Sequence, residues 1–131
     1  MPFIVNPADF PLLRITYDGP ITEAEVRAYL ADYDAVLARR QRYALLLDAS
    51  RAVVPSATIR RMKADFLRQR AGVLGALCLG GAYVITSPAI RGAMSAIFWL
   101  QPLPFAHVVV GTLAEGERWC HERLQGAGLA G

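Results

Sequence analysis

Three short runs, residues 43–47, 79–86 and 105–111, are almost wholly apolar, and apolar residues recur at helical spacing in the stretches between them. A strand with apolar side chains on both faces must be covered on both, and parallel sheets with helical crossovers provide that cover by construction. The alternation restricts the chain to an α/β architecture with a mostly parallel sheet and right-handed crossovers.

Punctuation between the runs sets the expected elements. A short apolar start at residues 3–5 adds a strand in front, and Leu13, Ile15 and Tyr17 then alternate with Arg14 and Thr16 as a half-buried strand. Asp18-Gly19-Pro20 ends it, and Thr22 with Glu25 forms a capping box, with Ile21 and Val26 placed as the hydrophobic staple. The first helical stripe runs Val26, Tyr29, Leu30, Tyr33, Val36, Leu37 and closes on Arg39, Arg40 and Arg42, cations suited to a helix C-terminus. A second helix opens at Ser56 and runs to about Cys78 on the stripe Ile59, Met62, Phe66, Val73, Leu74, Leu77, with Gly72 and Gly75 weakening its last turns. Gly80-Gly81 are expected to allow a tight exit from it. Ser87-Pro88 is a cap followed by proline at the first helical position, opening a helix whose face is Ile90, Met94, Ile97 and Phe98. Thr112 and Glu115 form another capping box for a terminal helix ending at Gly126. The expectation is one α/β domain over residues 1–126, a central mostly parallel sheet of four to five strands with four helices, and a frayed tail at 127–131.

Composition supports that reading. At 131 residues and 54% hydrophobic content, a single domain buries roughly 65 to 70% of its unfolded surface and needs no metal or disulfide. Cys78 and Cys120 are 42 residues apart with no CxxC pair, so a disulfide scaffold is not expected. The opening residues carry no basic region, sustained apolar stretch or small-residue cleavage site, and the expected location is the cytoplasm. Residues 71–90 and 92–114 are uncharged and long enough to span a bilayer. Gly80-Gly81, Ser87-Pro88 and Gln101-Pro102-Leu103-Pro104 break them, so no transmembrane segment is expected.

Four stretches together resemble a known family. They are the strand ending in Gly19-Pro20-Ile21-Thr22, the central strand Leu45-Leu46-Leu47-Asp48-Ala49-Ser50, the helix opening at Pro55-Ser56-Ala57-Thr58-Ile59, and the late Phe105 strand running into Glu115-Gly116-Glu117-Arg118-Trp119. In order and spacing, over nearly the whole chain, they resemble the STAS-like superfamily. Its type members are bacterial anti-sigma factor antagonists of the SpoIIAA kind, with relatives among stressosome proteins, sulfate-transporter tails and the lipid-binding SEC14-type fold. The resemblance implies a STAS-like (SpoIIAA-like) fold and a non-enzymatic regulatory or protein-interaction module of a bacterial cytoplasm. Its SEC14-type branch implies the alternative, binding or sensing of a small apolar ligand or lipid. In the anti-sigma factor antagonists an Asp-Ser-Ser-Gly stretch opens the second helix, and a kinase phosphorylates a serine there. Ser56 falls at that place, but Pro55, Ala57 and Thr58 surround it, so the acidic and glycine neighbours are missing.

The candidate polar or regulatory cluster is Asp48, Ser50, Ser56 and Thr58, at the carboxyl ends of the strands where open α/β sheets take ligands. Ser56 is expected first of all to cap its helix. An enzyme alternative would have to use Asp48, Ser50 and Ser56. No cofactor and no metal are expected: His107 and His121 lie on different elements, Cys120-His121 point apart on one helix, and no base stands at motif spacing from either cysteine. Residues 39–70 carry nine basic groups against Asp48 and Asp65, a local net of +7. Arg60, Arg61, Lys63, Arg68 and Arg70 are expected on the outer face of the second helix, a solvated face that suits an acidic protein partner. Nucleic acid is not expected, because no recognition motif interleaves with the arginines. Phe98, Trp99, Leu100, Leu103 and Phe105 are more apolar than one helix face can bury: either Trp99 and Leu100 cap the core, or the stretch marks a homodimer interface, a lipid or small-molecule cleft, or a membrane-surface contact, and of these a homodimer contact is expected.

Overall fold

The computed structural model describes residues 3–129. Its elements run β1 (Phe3–Asn6), β2 (Leu12–Gly19), α1 (Glu23–Leu37), β3 (Tyr43–Ala52), α2 (Ala57–Gln69), α3 (Ala71–Leu77), β4 (Cys78–Val84), α4 (Pro88–Leu100), β5 (His107–Val110) and α5 (Leu113–Gly126). The five strands lie in the sheet in chain order, β1 antiparallel to β2 and every later pair parallel.

That order dictates where the helices go. Right-handed crossovers stepping in one direction across a sheet all fall on the same face. The helices joining β2 to β5, α1 through α4, pack over Leu13, Ile15, Leu45, Leu47, Ala49, Tyr83 and Ile85 in one apolar cluster. Helix α5 follows the last strand and covers the opposite face, burying Leu12, Ala44, Leu46, Ala82 and Val84 beneath Cys120 and Leu124. Residues 43–47 are all buried, as a strand covered on both sides requires.

Glycines let α5 lie close. A Cβ on Gly116 would stand 2.6 Å from Leu46 Cδ1, and one on Gly80 would stand 2.5 Å from the Trp119 ring. Gly80 and Gly81 therefore sit inside β4 beneath rings, Trp119 over the first and Phe105 against the second, and do not serve as a helix exit.

Two further expectations change. The second helix divides at Arg70, giving five helices: Arg70 leaves helical geometry at φ −115° and its guanidinium grips both oxygens of Asp34 on α1. Gly72 and Gly75 lower the helical preference of the segment that follows. At the other end, Arg39, Arg40 and Arg42 lie beyond the last turn of α1, and Arg39 stacks over Phe10 at 5.2 Å. The caps read from sequence are present at Thr22, Ser56, Ser87 and Thr112, each side chain accepting from the backbone N–H three residues on. At Thr112 the box is incomplete: its hydroxyl donates to Glu115, and the glutamate does not reach back to the Thr112 backbone. Residues 127–129, the start of the expected frayed tail, close α5. Gly128 takes φ 77° and the Leu129 N–H donates back to Leu124 O at 2.8 Å, a left-handed helix stop; residues 130–131 lie outside the described residues. No helix among the described residues is long and apolar enough to cross a membrane.

Candidate functional site

Between the sheet and helices α1, α2 and α4 lies a chamber of about 130 Å³. Leu45, Leu47 and Ala49 of β3 and Tyr83 and Ile85 of β4 form its floor. Tyr29, Leu30 and Tyr33 of α1, Phe66 and Leu67 of α2, and Ile90, Ala93, Met94, Ile97 and Phe98 of α4 form its walls. The turns after β2 and β3, with Ile21, Val53 and Pro55, make the rim. Three helices on a twisted sheet diverge, and the space between them closes only where side chains are large. Here the alanines Ala49, Ala52 and Ala93 leave it open.

Among the described lining residues, the polar side chains are tyrosines and one cation. Tyr17 and Tyr29 hydroxyls pair at 3.0 Å, Tyr33 and Tyr43 at 2.7 Å, and the rings of Tyr17, Tyr29, Tyr33 and Phe66 meet edge to face. Burial raises the Tyr17, Tyr33 and Tyr83 hydroxyls well above their ordinary range and Tyr29 to about 12, so these groups stay neutral donors. Lys63 is the one charged side chain among the described lining residues. Its ammonium lies 4.4 Å above the Tyr17 ring, and burial pulls it down to about 8.

The polar cluster read from sequence is not assembled into one pocket. Asp48 accepts from the Ser50 N–H at 3.0 Å and the Ser50 hydroxyl at 2.6 Å. By strand alternation both share the α5 face with Leu46, whereas α2, with Ser56 at its cap and Thr58 exposed on its first turn, packs on the other face. Ser56 accepts from the Ile59 N–H at 3.2 Å.

The basic face is broken up in a similar way. Arg60 donates to Pro55 O at 2.7 Å, Arg68 pairs with Asp65 at 3.1 Å, Arg70 grips Asp34, Arg61 is exposed, and Lys63 turns to the chamber. The apolar stretch around Trp99 also divides. Phe98, Leu103 and Phe105 line the chamber, Phe98 packing edge-on to Tyr83 and His107, while Trp99 is 88% and Leu100 52% exposed. The thiols of Cys78 and Cys120 are buried, donate to Gly80 O and Leu45 O, and are pushed up to about 12 and about 11. Such thiols pack as small apolar groups.

The sequence did hold one sign of Lys63. It is the single lysine beside thirteen arginines, and it falls four residues after Ile59 and three before Phe66, on the inner stripe of its helix.

Comparison with solved structures places the fold. The chain is similar to an uncharacterised protein with a SpoIIAA-like fold from Shewanella loihica, at 12% identity, TM-score 0.67 and coverage of 90% of this chain and 91% of that one. It is also similar to an anti-sigma factor antagonist from Mycobacterium paratuberculosis, at 17% identity, TM-score 0.61 and coverage of 91% and 92%. No protein-family model matches the sequence, and no curated protein matches it. The fold is the SpoIIAA-like fold expected from the sequence, with five strands and five helices among the described residues.

Proposed function

We propose that the chain is a non-enzymatic STAS-like regulatory module that holds a small apolar molecule in the chamber beneath α2 and α4. The chamber itself carries this reading. Its volume, about 130 Å³, is close to that of engineered cavities of about 150 Å³ that stay dry and admit benzene. Helix α4 links such an occupant to the surface: Ile90, Ala93 and Ile97 face the chamber, and Trp99 stands outward at the end of the same helix. Benzene and indole should each raise the thermal midpoint as ligands of the folded state do. Ala93→Phe, which fills the chamber from α4, should abolish both shifts while keeping the native circular dichroism. Absence of any shift in the unmodified protein, with no molecule retained in native mass spectrometry, removes this reading.

A second reading, contact with a protein partner, is favoured by Trp99, because an indole left 88% exposed beside Leu100 is unusual without a partner surface. The likeness to an anti-sigma factor antagonist supports a protein partner. A second copy of this chain is the partner we propose first.

A further inference from the structure

We infer that the molecule taken by the chamber is a small monocarboxylic acid, bound as its anion with the carboxylate on Lys63 and an apolar body of about six to eight carbons in the space beyond. This rests on the reading of the chamber as a ligand site and names the chemistry of its occupant. A neutral hydrocarbon has no use for a cation in the wall. Lys63 is placed there by the inner stripe of α2, with its ammonium held over the Tyr17 ring and directed among aliphatic and aromatic side chains. At neutral pH the ammonium form predominates, since burial lowers the group only to about 8. A carboxylate brought to it makes a charge-assisted hydrogen bond in surroundings that screen poorly.

The same geometry selects against other anions. A phosphate monoester is close to a dianion and is met by forked guanidinium groups or several backbone donors. The neighbouring arginines are turned elsewhere: Arg60 to Pro55 O, Arg68 to Asp65 and, beyond the end of α2, Arg70 to Asp34, while Arg61 is exposed. One compact point charge suits one carboxylate. A space of about 130 Å³ suits one short apolar body better than the paired acyl chains of a phospholipid.

The test is calorimetric titration at neutral pH with two acids, hexanoate and benzoate, and their neutral counterparts hexanamide and benzamide. For at least one pair the acid should bind about tenfold or more tightly than the amide. Lys63→Met should reduce the acid to the level of its amide and leave the amide unchanged, Lys63→Arg should keep part of the preference, and Arg61→Met, on the exposed face of the same helix, should leave it intact. Urea midpoints of each variant establish that the fold is retained. Equal binding of acid and amide to the unmodified protein overturns the inference while the chamber remains a site for apolar molecules. The inference also falls if none of the four binds; should benzene and indole fail as well, the apolar-ligand reading falls with it.

Discussion

Replacing Lys63 with methionine should make the protein more stable at neutral pH, with a gain that shrinks as pH rises. In the folded chain the group titrates near 8, against 10.5 for an ordinary lysine, and the cause is desolvation. A base whose folded pKa lies below its unfolded one holds fewer protons when folded, so its charge opposes folding. The penalty is complete below the folded value and is relieved as pH climbs from about 8 toward 10.5. At 1.36 kcal/mol per pKa unit, the two values give a penalty of about 3 kcal/mol at pH 7 and about 2 kcal/mol at pH 9. Methionine removes it and fills similar volume, and what it forfeits includes the contact with the Tyr17 ring, worth about 0.5 to 2 kcal/mol. The net gain is then about 1 to 3 kcal/mol at pH 7, and about 1 kcal/mol less at pH 9. Urea unfolding of both proteins at the two pH values reads the difference directly. Buried acids raised on folding, Cys78 and Cys120 to about 12 and about 11 and Tyr29 to about 12, act in the opposite sense. Their stabilisation is present below the unfolded pKa and is lost as pH rises beyond it. They do so in both proteins alike, and the difference isolates Lys63. A variant less stable than the parent at pH 7, or a difference that does not change between pH 7 and 9, would refute the reasoning.

Helix α5 offers a paired test: Gly116→Ala should cost about 1 to 3 kcal/mol, because its Cβ lands on the buried Leu46. Gly92→Ala on α4, where a Cβ meets nothing within 4 Å, should stabilise by about 0.5 to 1 kcal/mol; denaturant midpoints measure both. Ser56→Ala should cost about 0.5 to 2 kcal/mol by removing the acceptor for the Ile59 N–H, and Ser56→Asp should cost little, being a cap and an anion at a helix N-terminus. Equal stability of Ser56→Ala and the parent removes the capping role. If Trp99 is the contact with a second copy, light scattering should find the parent protein dimeric and Trp99→Glu a folded monomer, and a monomeric parent ends that proposal.

The connectivity of this fold was legible because its signals are local. Apolar runs give strands, caps at Thr22, Ser56, Ser87 and Thr112 give helix starts, and chirality places crossovers on one face. The break at Arg70 was less legible, since it depends on Asp34 of another helix arriving within reach of the guanidinium. Gly80 and Gly81 misled for the same kind of reason: a glycine pair at a helix end reads as a turn, and only the arrival of Trp119 and Phe105 shows that the space above the strand is taken.

A chamber is harder to read than any strand, because it is a sum over elements distant in sequence. Each of its residues is ordinary alone; Ala49, Ala52 and Ala93 would suit any close-packed core. What makes a cavity is that small residues from one strand and one helix fall opposite one another while the tyrosines of α1 span the gap without filling it. Lys63 is the exception. Charge on an inner stripe conflicts with the pattern of its own helix; the sequence expectation groups Lys63 with Arg60 and Arg61 on the outer basic face, although its spacing from Ile59 and Phe66 sets it on the inner one. Arginine and lysine differ in this respect. A lysine is a point charge on a flexible apolar stem and titrates when desolvated, whereas an arginine keeps its charge and is held by forked partners, as Arg70 is by Asp34. In a chain that uses arginine at every other basic position, the single lysine stands where the protein has a reason to tolerate a weakened cation among apolar groups.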